Sequence, residues 1–164
     1  MATKATAPPA DRIAASFKQL AESAAHLNSA SDELSKAVAP IDTALKKLNL
    51  GVTAWHTYFK GGDDRDGSYW SRRIGYAKVS GKWGVALSTI SGYTHYPDED
   101  VEEWLFNDAP RWMRIESVDH IPALLDELIK EANDVAAALH EKSASARDLA
   151  ATLTDLVSDS QGRR

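Results

Sequence analysis

The stretch that decides the fold runs from residue 69 to residue 90, YWSRRIGYAKVSGKWGVALSTI. Its aromatic and β-branched residues favour strands, and Ser80-Gly81 suits a two-residue hairpin turn because glycine accepts a positive φ. Such a turn places Val79 opposite Lys82 and thereby fixes every other cross-strand pair. The segment therefore predicts two antiparallel strands, Tyr69–Val79 and Lys82–Ile90.

The predicted register gives this hairpin two unlike faces. One face carries bulky pairs, namely Tyr76 with Val85, Ile74 with Leu87, and Lys78 with Trp83. The other face carries small pairs, namely Ala77 with Gly84 and Gly75 with Ala86. Because cross-strand pairs on one face pack together, we expect the bulky face to form the main core. The smooth face is expected to accept a closely packed helix or, less commonly, a flat ligand.

Residues 51–120 form an aromatic-rich head around this hairpin, since 12 of the 13 aromatic residues lie between Trp55 and Trp112. Val52–Phe59 alternates as a strand does, and the glycine- and aspartate-rich Lys60–Ser68 predicts a turn. The acidic, turn-rich Ser91–Glu103 predicts a loop, with Trp104–Phe106 as a short strand or a helical turn. The head is thus predicted to hold an antiparallel sheet of three or more strands.

The end of the head predicts a short helix and the start of a long one. Asp108-Ala109-Pro110 has the order of a helix cap followed by a proline in the first turn. A short helix through Arg111 and Ile115 would follow it. Asp119 or a neighbour is expected to cap the long C-terminal helix, with Pro122 in its first turn.

The segments on either side of the head carry apolar stripes whose spacing alternates four and three, which favours long helices with supercoiled packing. The N-terminal stripe consists of Ile13, Phe17, Leu20, Ala24, Leu27, Ser31, Leu34, Val38, Ile41, Leu45 and Leu48. The C-terminal stripe consists of Ile121, Leu125, Leu128, Ala132, Val135, Leu139, Lys142, Ala146, Leu149, Leu153 and Leu156. We expect a helix over 11–50, kinked near Pro40, a helix over 121–157, and disordered tails at 1–10 and 158–164.

Two stripes of equal length on either side of a compact insert predict an antiparallel, coiled-coil-like helical hairpin. Leu48 would then lie near Ile121, and Ile13 near Leu156. Because alanine and serine in the seam leave modest apolar burial, we expect a homo-oligomer, such as a homodimer that completes a four-helix bundle. The predicted fold class is α+β: two long antiparallel helices flanking a small antiparallel sheet with a short helix.

Composition excludes several classes of function. The net charge of −5 is spread along the chain without a basic face, which argues against a nucleic-acid partner. The absence of cysteine excludes disulfides, thiolate catalysis and cysteine-ligated zinc. No apolar run approaches the ~20 residues of a membrane span, and MATKATAPPA has no hydrophobic signal core. We therefore expect a soluble cytoplasmic protein without a membrane partner, and the high alanine content is typical of many bacterial proteins.

The five histidines show no HExxH motif or close His-x-His pair, so the sequence predicts neither a metal site nor a cofactor. Arg111 and Arg114 are one helical turn apart and can act on the same anion, although pairing with acids of the head is the alternative. Arg72 shares the bulky face of the hairpin. The candidate ligand- or partner-binding residues are Arg111, Arg114, Arg72, Trp70, Tyr96, His56 and His95.

No phosphate-binding glycine loop or G-x-S-x-G motif is present, and no catalytic residues are predicted. The sequence favours a non-enzymatic, oligomeric binding or adaptor protein that presents the aromatic head on a helical stalk to a protein partner. Tryptophan and arginine are enriched at the energetic centres of protein interfaces, which supports this reading. One alternative is a sensor or inhibitor that binds an anionic small molecule. The other is a small enzyme that uses His56 or His95 with carboxylates of the head.

Overall fold

The computed structural model describes the backbone of residues 9–161, and these form two compact units that divide after Ala44. The elements in chain order are α1 (Pro9–Leu48), β1 (Ala54–Asp63), β2 (Ser68–Val79), β3 (Lys82–Tyr93), β4 (Glu99–Leu105), a 3-10 turn (Phe106–Asp108), α2 (Arg111–Ser117), a second 3-10 turn (Val118–His120) and α3 (Ile121–Gln161). The predicted α+β class with an antiparallel sheet is confirmed. Within the described residues, no helix combines the length and apolar character needed to cross a membrane.

The central hairpin has the register that its turn predicts. Val79 pairs with Lys82, and the pairing continues without a shift to Ser68 opposite Tyr93. Ser80 and Gly81 have φ values of 48° and 84°, as a two-residue turn that follows the twist of the strands requires. The turn residues alone therefore determine which side chains share each face.

The sheet has the order β1-β2-β3-β4, and the loop predicted over Ser91–Glu103 is confined to residues 94–98. β3 continues to Tyr93, and β4 begins at Glu99 and pairs Val101 with Ile90. Four carboxylates in seven residues suggest a solvated loop, but charged side chains are also common on edge strands, where they block pairing with other chains.

The turn predicted over Lys60–Ser68 is also shorter than expected, because β1 extends to Asp63. Gly61 pairs with Trp70, and the indole ring lies against the glycine so closely that a Cβ there would be 2.5 Å from Trp70 Cε2. Glycine in this strand therefore leaves room for the tryptophan ring rather than forming a turn.

The main core lies on the bulky face of the sheet, as predicted. The helix α3 packs on β1 and β2, and α2 packs on β3. Ile74 and Leu87 from the sheet and Met113 and Leu124 from the helices have no exposed area. Since core side chains at zero exposure contribute the full apolar transfer energy, these four residues hold the head together.

The smooth face is filled from within the sheet. Ala77 and Ala86 form a second buried cluster with Val79, and the larger side chains of Trp55 and Leu105 pack against it. A Cβ at Gly75 would collide with the Trp55 ring and lie 2.7 Å from the carbonyl oxygen of Ala54. The small residues thus accommodate side chains from the outer strands, and no flat ligand is needed to explain them.

In the first unit, α1 passes through Pro40 without interruption, so the helix is not broken there. The stripe residues Ile13, Phe17, Leu20 and Leu27 are 50–71% exposed. Residues 1–8 of the predicted N-terminal tail lie outside the described residues.

In the second unit, α3 includes residues 158–161, so this part of the disordered tail predicted at 158–164 is helical. This segment contains neither glycine nor proline, and the Ser158 hydroxyl donates to the Thr154 carbonyl oxygen, so nothing stops the helix there. Ile121 and Leu128 of the stripe are buried, whereas Leu139, Leu149, Leu153 and Leu156 are 62–65% exposed. The antiparallel pairing of α1 with α3 stays a prediction.

Candidate functional site

The head contains one concentrated group of interacting charged, polar and aromatic side chains beside the main core. We call this group the arginine–aromatic cluster, and it consists of His56, Tyr58, Phe59, Arg72, Trp112, Glu116 and His120. Its members come from β1, β2, α2 and the 3-10 turn before α3. All of them belong to the second unit.

Local backbone geometry brings these side chains to one place. The register of β1 with β2 shifts between Thr57 and Phe59, and this bulge sets Phe59 opposite Arg72. Arg72 shares a face with Ile74 because side chains alternate along a strand. Trp112 and Glu116 are four residues apart on α2 and therefore lie on the same side of that helix.

Arg72 is held on three sides. Its guanidinium carbon lies 4.5 Å from the centroid of the Phe59 ring and 4.6 Å from that of the Trp112 ring. Both distances are within the range of a cation–π interaction. Its Nη1 donates to Glu116 Oε2 at 2.9 Å, and both side chains keep solvent contact. The partial exposure makes the ion pair modest in energy, so its main effect is to orient the guanidinium.

Arg73, the next residue of β2, makes its contacts on the opposite face of the sheet. The Arg73 guanidinium carbon lies 4.7 Å from the centroid of the Trp55 ring, and Nη2 donates to Ser88 Oγ at 3.0 Å. Nη2 also lies 3.7 Å from Glu103 Oε1. The prediction that the two adjacent arginines point to opposite faces is therefore confirmed by their different contacts.

Tyr58, His56 and His120 are half-buried and stack on one another in the cluster. The Tyr58 ring stacks on His120 with centroids 4.8 Å apart, and His56 lies 5.8 Å from His120 in a similar stacked arrangement. The Tyr58 hydroxyl is buried without a hydrogen-bond partner among the described residues. Burial raises the pKa of Tyr58, the Glu116 carboxylate raises it further, and Arg72 opposes this. The phenol therefore stays protonated at neutral pH and can donate one hydrogen bond.

The two candidate histidines of the head, His56 and His95, lie far apart. His56 is opposite Ile74, whereas His95 lies beside Gly67, where a Cβ would be 3.5 Å from its Cδ2. Seven residues separate Ile74 from Gly67, which is roughly 23 Å along an extended strand. The nearest histidine partner of His56 is His120, which the sequence did not single out.

The other predicted site residues lie in three further places. Trp70 is two residues from Arg72 on the same face of β2, and its ring lies over Gly61 on β1. Tyr96 lies in the turn between β3 and β4 and packs edge-on against Tyr93 with ring centroids 6.1 Å apart. Arg111 and Arg114 are half-buried on α2, and each already interacts with other parts of the protein. Of the seven predicted residues, the structure therefore brings only His56 and Arg72 into the cluster.

Within the part of the chain that the structure describes, no three His, Asp or Glu side chains are grouped so as to hold a metal ion. The exposed side chains of the cluster are the rings of Trp112 and Phe59, at 46% and 39%, with Arg72 between them, and the carboxylate of Glu116. An arginine held between two exposed rings gives a binding partner apolar surface, a positive charge and guanidinium N–H groups that donate hydrogen bonds in fixed directions.

Comparison with known proteins adds no relative to this geometry. No protein-family model, curated protein or solved structure matches the chain. The function proposed below therefore depends on the exposed stripes of the helices and on the side chains of the head.

Proposed function

We propose that this protein is a non-enzymatic binding protein that self-associates through α1 and α3 and presents its head to a protein partner. The observation that carries the proposal is the exposure of both apolar stripes. Five large apolar stripe residues of α1 and four of α3 each expose half or more of their area. Contiguous exposed apolar surface of this kind marks an interaction site in a folded protein.

The occupant we propose for these stripes is the stripe of the other helix, in the same chain and in a second copy. The two stripes have the same four-three spacing and the same length, as partners in a coiled-coil seam require. In the antiparallel arrangement, Ile13 meets Leu156 and Leu20 meets Leu149. A second hairpin of the same kind would cover the remaining apolar edges in a four-helix bundle.

The arginine–aromatic cluster is the proposed contact surface for the protein partner. Trp112 and Phe59 project beside Arg72, and Ile115 on the same helix is 59% exposed. Tryptophan and arginine contribute most of the energy at many protein interfaces. Because Arg72 is already oriented by two rings and a carboxylate, little side-chain entropy is lost when a partner binds it.

A sensor or inhibitor that binds an anionic small molecule is the second candidate function. The observation that favours it is the ion pair of Arg72 with Glu116, because an incoming phosphate or carboxylate could take the place of the Glu116 carboxylate on the guanidinium. Replacement of Glu116 by glutamine would then strengthen binding of inorganic phosphate. In the adaptor reading, isothermal titration with phosphate and nucleotides gives no heat with either form of the protein.

Sedimentation velocity of the full chain tests the self-association. We expect a species of at least twice the single-chain mass of 17.9 kDa at tens of micromolar. Leu149→Glu combined with Leu153→Glu should cost at least ~1.5 kcal/mol of association free energy per site, because each leucine loses its apolar burial. Association should therefore weaken about 100-fold, and the monomer should dominate.

The matched control is Ala151→Glu combined with Ser158→Glu, two exposed sites on the opposite side of α3. This control adds the same charge and should leave the mass unchanged. A wild-type monomer at these concentrations would refute the oligomer, and so would equal dissociation of both double variants.

A further inference from the structure

A groove of about 440 Å³ lies where β2 begins and β3 ends, and its Trp70 is two residues from Arg72 on the same face of β2. It is lined by Ser68, Tyr69, Trp70, Ser91, Gly92, Tyr93, Asp98, Glu99 and Asp100. None of these residues belongs to the arginine–aromatic cluster. A volume of this size accommodates one extended side chain or a small molecule.

The accessible rings of the groove are those of Trp70 and Tyr93, which share one face of the sheet because Trp70 pairs with Ser91 and Ser68 with Tyr93. The Trp70 ring lies over Gly61 on β1, where a Cβ would be 2.5 Å from its Cε2. The Tyr69 ring lies over Gly92 on the other face, where a Cβ would be 2.7 Å from the Tyr69 hydroxyl. Trp70 and Tyr93 nevertheless remain 41% and 50% exposed. The backbone therefore fixes the rings while parts of them stay accessible to a ligand.

The charge in the groove has one sign. Asp98, Glu99 and Asp100 line it, and no lysine or arginine is among its described lining residues. Glu99 pairs with Gly92 and therefore shares the face of Tyr69, whose hydroxyl donates to Glu99 Oε1 at 2.6 Å. This hydrogen bond raises the pKa of Tyr69. Asp98 and Asp100 have no salt-bridge partner among the described residues. Two carboxylates thus face the groove without a counter-charge from the protein.

We propose that this groove binds an organic cation, namely an alkylammonium or guanidinium group. Indole and phenol rings attract a cation through the negative face of the ring, and neighbouring carboxylates add direct ion pairing. An anion would instead meet the like charges of Asp98 and Asp100. If the proposed adaptor function holds, the cation is a lysine or arginine side chain of the partner; a free polyamine has the same chemistry.

Titration of the full-length protein tests the groove, with binding followed through the Trp70 indole N–H signal in NMR spectra. The probes are a glycine-flanked peptide with three lysines, the same peptide with norleucine for lysine, and spermidine. We expect the lysine peptide or spermidine to bind with Kd of roughly 1 mM or tighter, and the norleucine peptide not to bind. Binding of the peptide alone assigns the cation to a protein partner, and binding of spermidine alone assigns it to a free amine.

Asp98→Asn combined with Asp100→Asn should weaken cation binding at least tenfold. Asp108→Asn combined with Asp119→Asn removes the same charge from exposed positions outside the groove and should change Kd less than twofold. Equal weakening by both pairs, or no binding of any cation at 10-fold the expected Kd, would overturn the proposal. Sedimentation should be unaffected by either pair, so failure of the groove is distinguishable from failure of the self-association.

Discussion

Replacement of Arg72 by alanine should lower the free energy of unfolding of the head by about 2 kcal/mol. The guanidinium makes two cation–π contacts, to Phe59 and Trp112, and each contributes about 0.5–1 kcal/mol at a partly exposed site. The ion pair with Glu116 adds about 0.2–1 kcal/mol, because its two side chains are 28% and 45% exposed.

Urea unfolding followed by tryptophan fluorescence measures this loss, since Trp112 is itself part of the cluster. Arg72→Lys keeps the charge but loses the planar guanidinium, so about half of the loss should remain. Arg65→Ala is the matched control, because Arg65 is an exposed arginine in the neighbouring β1–β2 turn whose backbone N–H makes the local contact to Asp63. It should cost less than about 0.5 kcal/mol. If Arg72→Ala is no worse than Arg65→Ala, the cluster does not hold its arginine as described.

Three further substitutions test other parts of the head. Tyr58→Phe should be neutral or slightly stabilising at pH 7, because the buried hydroxyl has no hydrogen-bond partner among the described residues. Folding raises the pKa of Tyr58 above 10.0, so the wild type should lose stability relative to the variant as the pH rises above that value. Urea unfolding at several pH values measures this difference. Gly75→Ala should cost roughly 1–3 kcal/mol in the same assay, because its methyl group collides with the Trp55 ring; a neutral result would contradict the close packing of the smooth face. Leu124→Ala should lower the free energy of unfolding by about 2–5 kcal/mol, because Leu124 is fully buried, and Leu125→Ala should lower it far less, because Leu125 is partly exposed. Equal effects would mean that α3 packs through a different face.

The sheet was predictable where a short local signal determines it. Ser80-Gly81 sets the register of the β2–β3 hairpin, and the register then assigns Ile74 and Leu87 to the core face. β4 was not predictable from its sequence, because its carboxylates fit both a loop and an edge strand. Only its pairing with β3, which supplies partners such as Ile90, distinguishes the two.

The arginine–aromatic cluster was predictable only in part. The hairpin register placed Arg72 on the correct face, but its partners come from a bulge in β1 and from one side of α2. The spacing of Trp112 and Glu116 was visible in the sequence, whereas the packing of α2 against β3 was not. The stacking of His56 with His120 was not predictable, because it depends on how the 3-10 turn before α3 meets β1.

Disulfide trapping tests the pairing of the two long helices most directly, since the chain has no cysteine of its own. Leu20→Cys combined with Leu149→Cys places a thiol on each stripe at positions that meet in the antiparallel seam, where a bond requires the two Cα atoms to be within about 7 Å. If the stripes pair in this way, we expect rapid crosslinking under mild oxidation, within one chain or between two. Leu20→Cys combined with Ala151→Cys, which moves the second thiol to the far side of α3, should crosslink slowly. Equal yields from the two pairs, or no crosslink from the first, would contradict the pairing of the stripes.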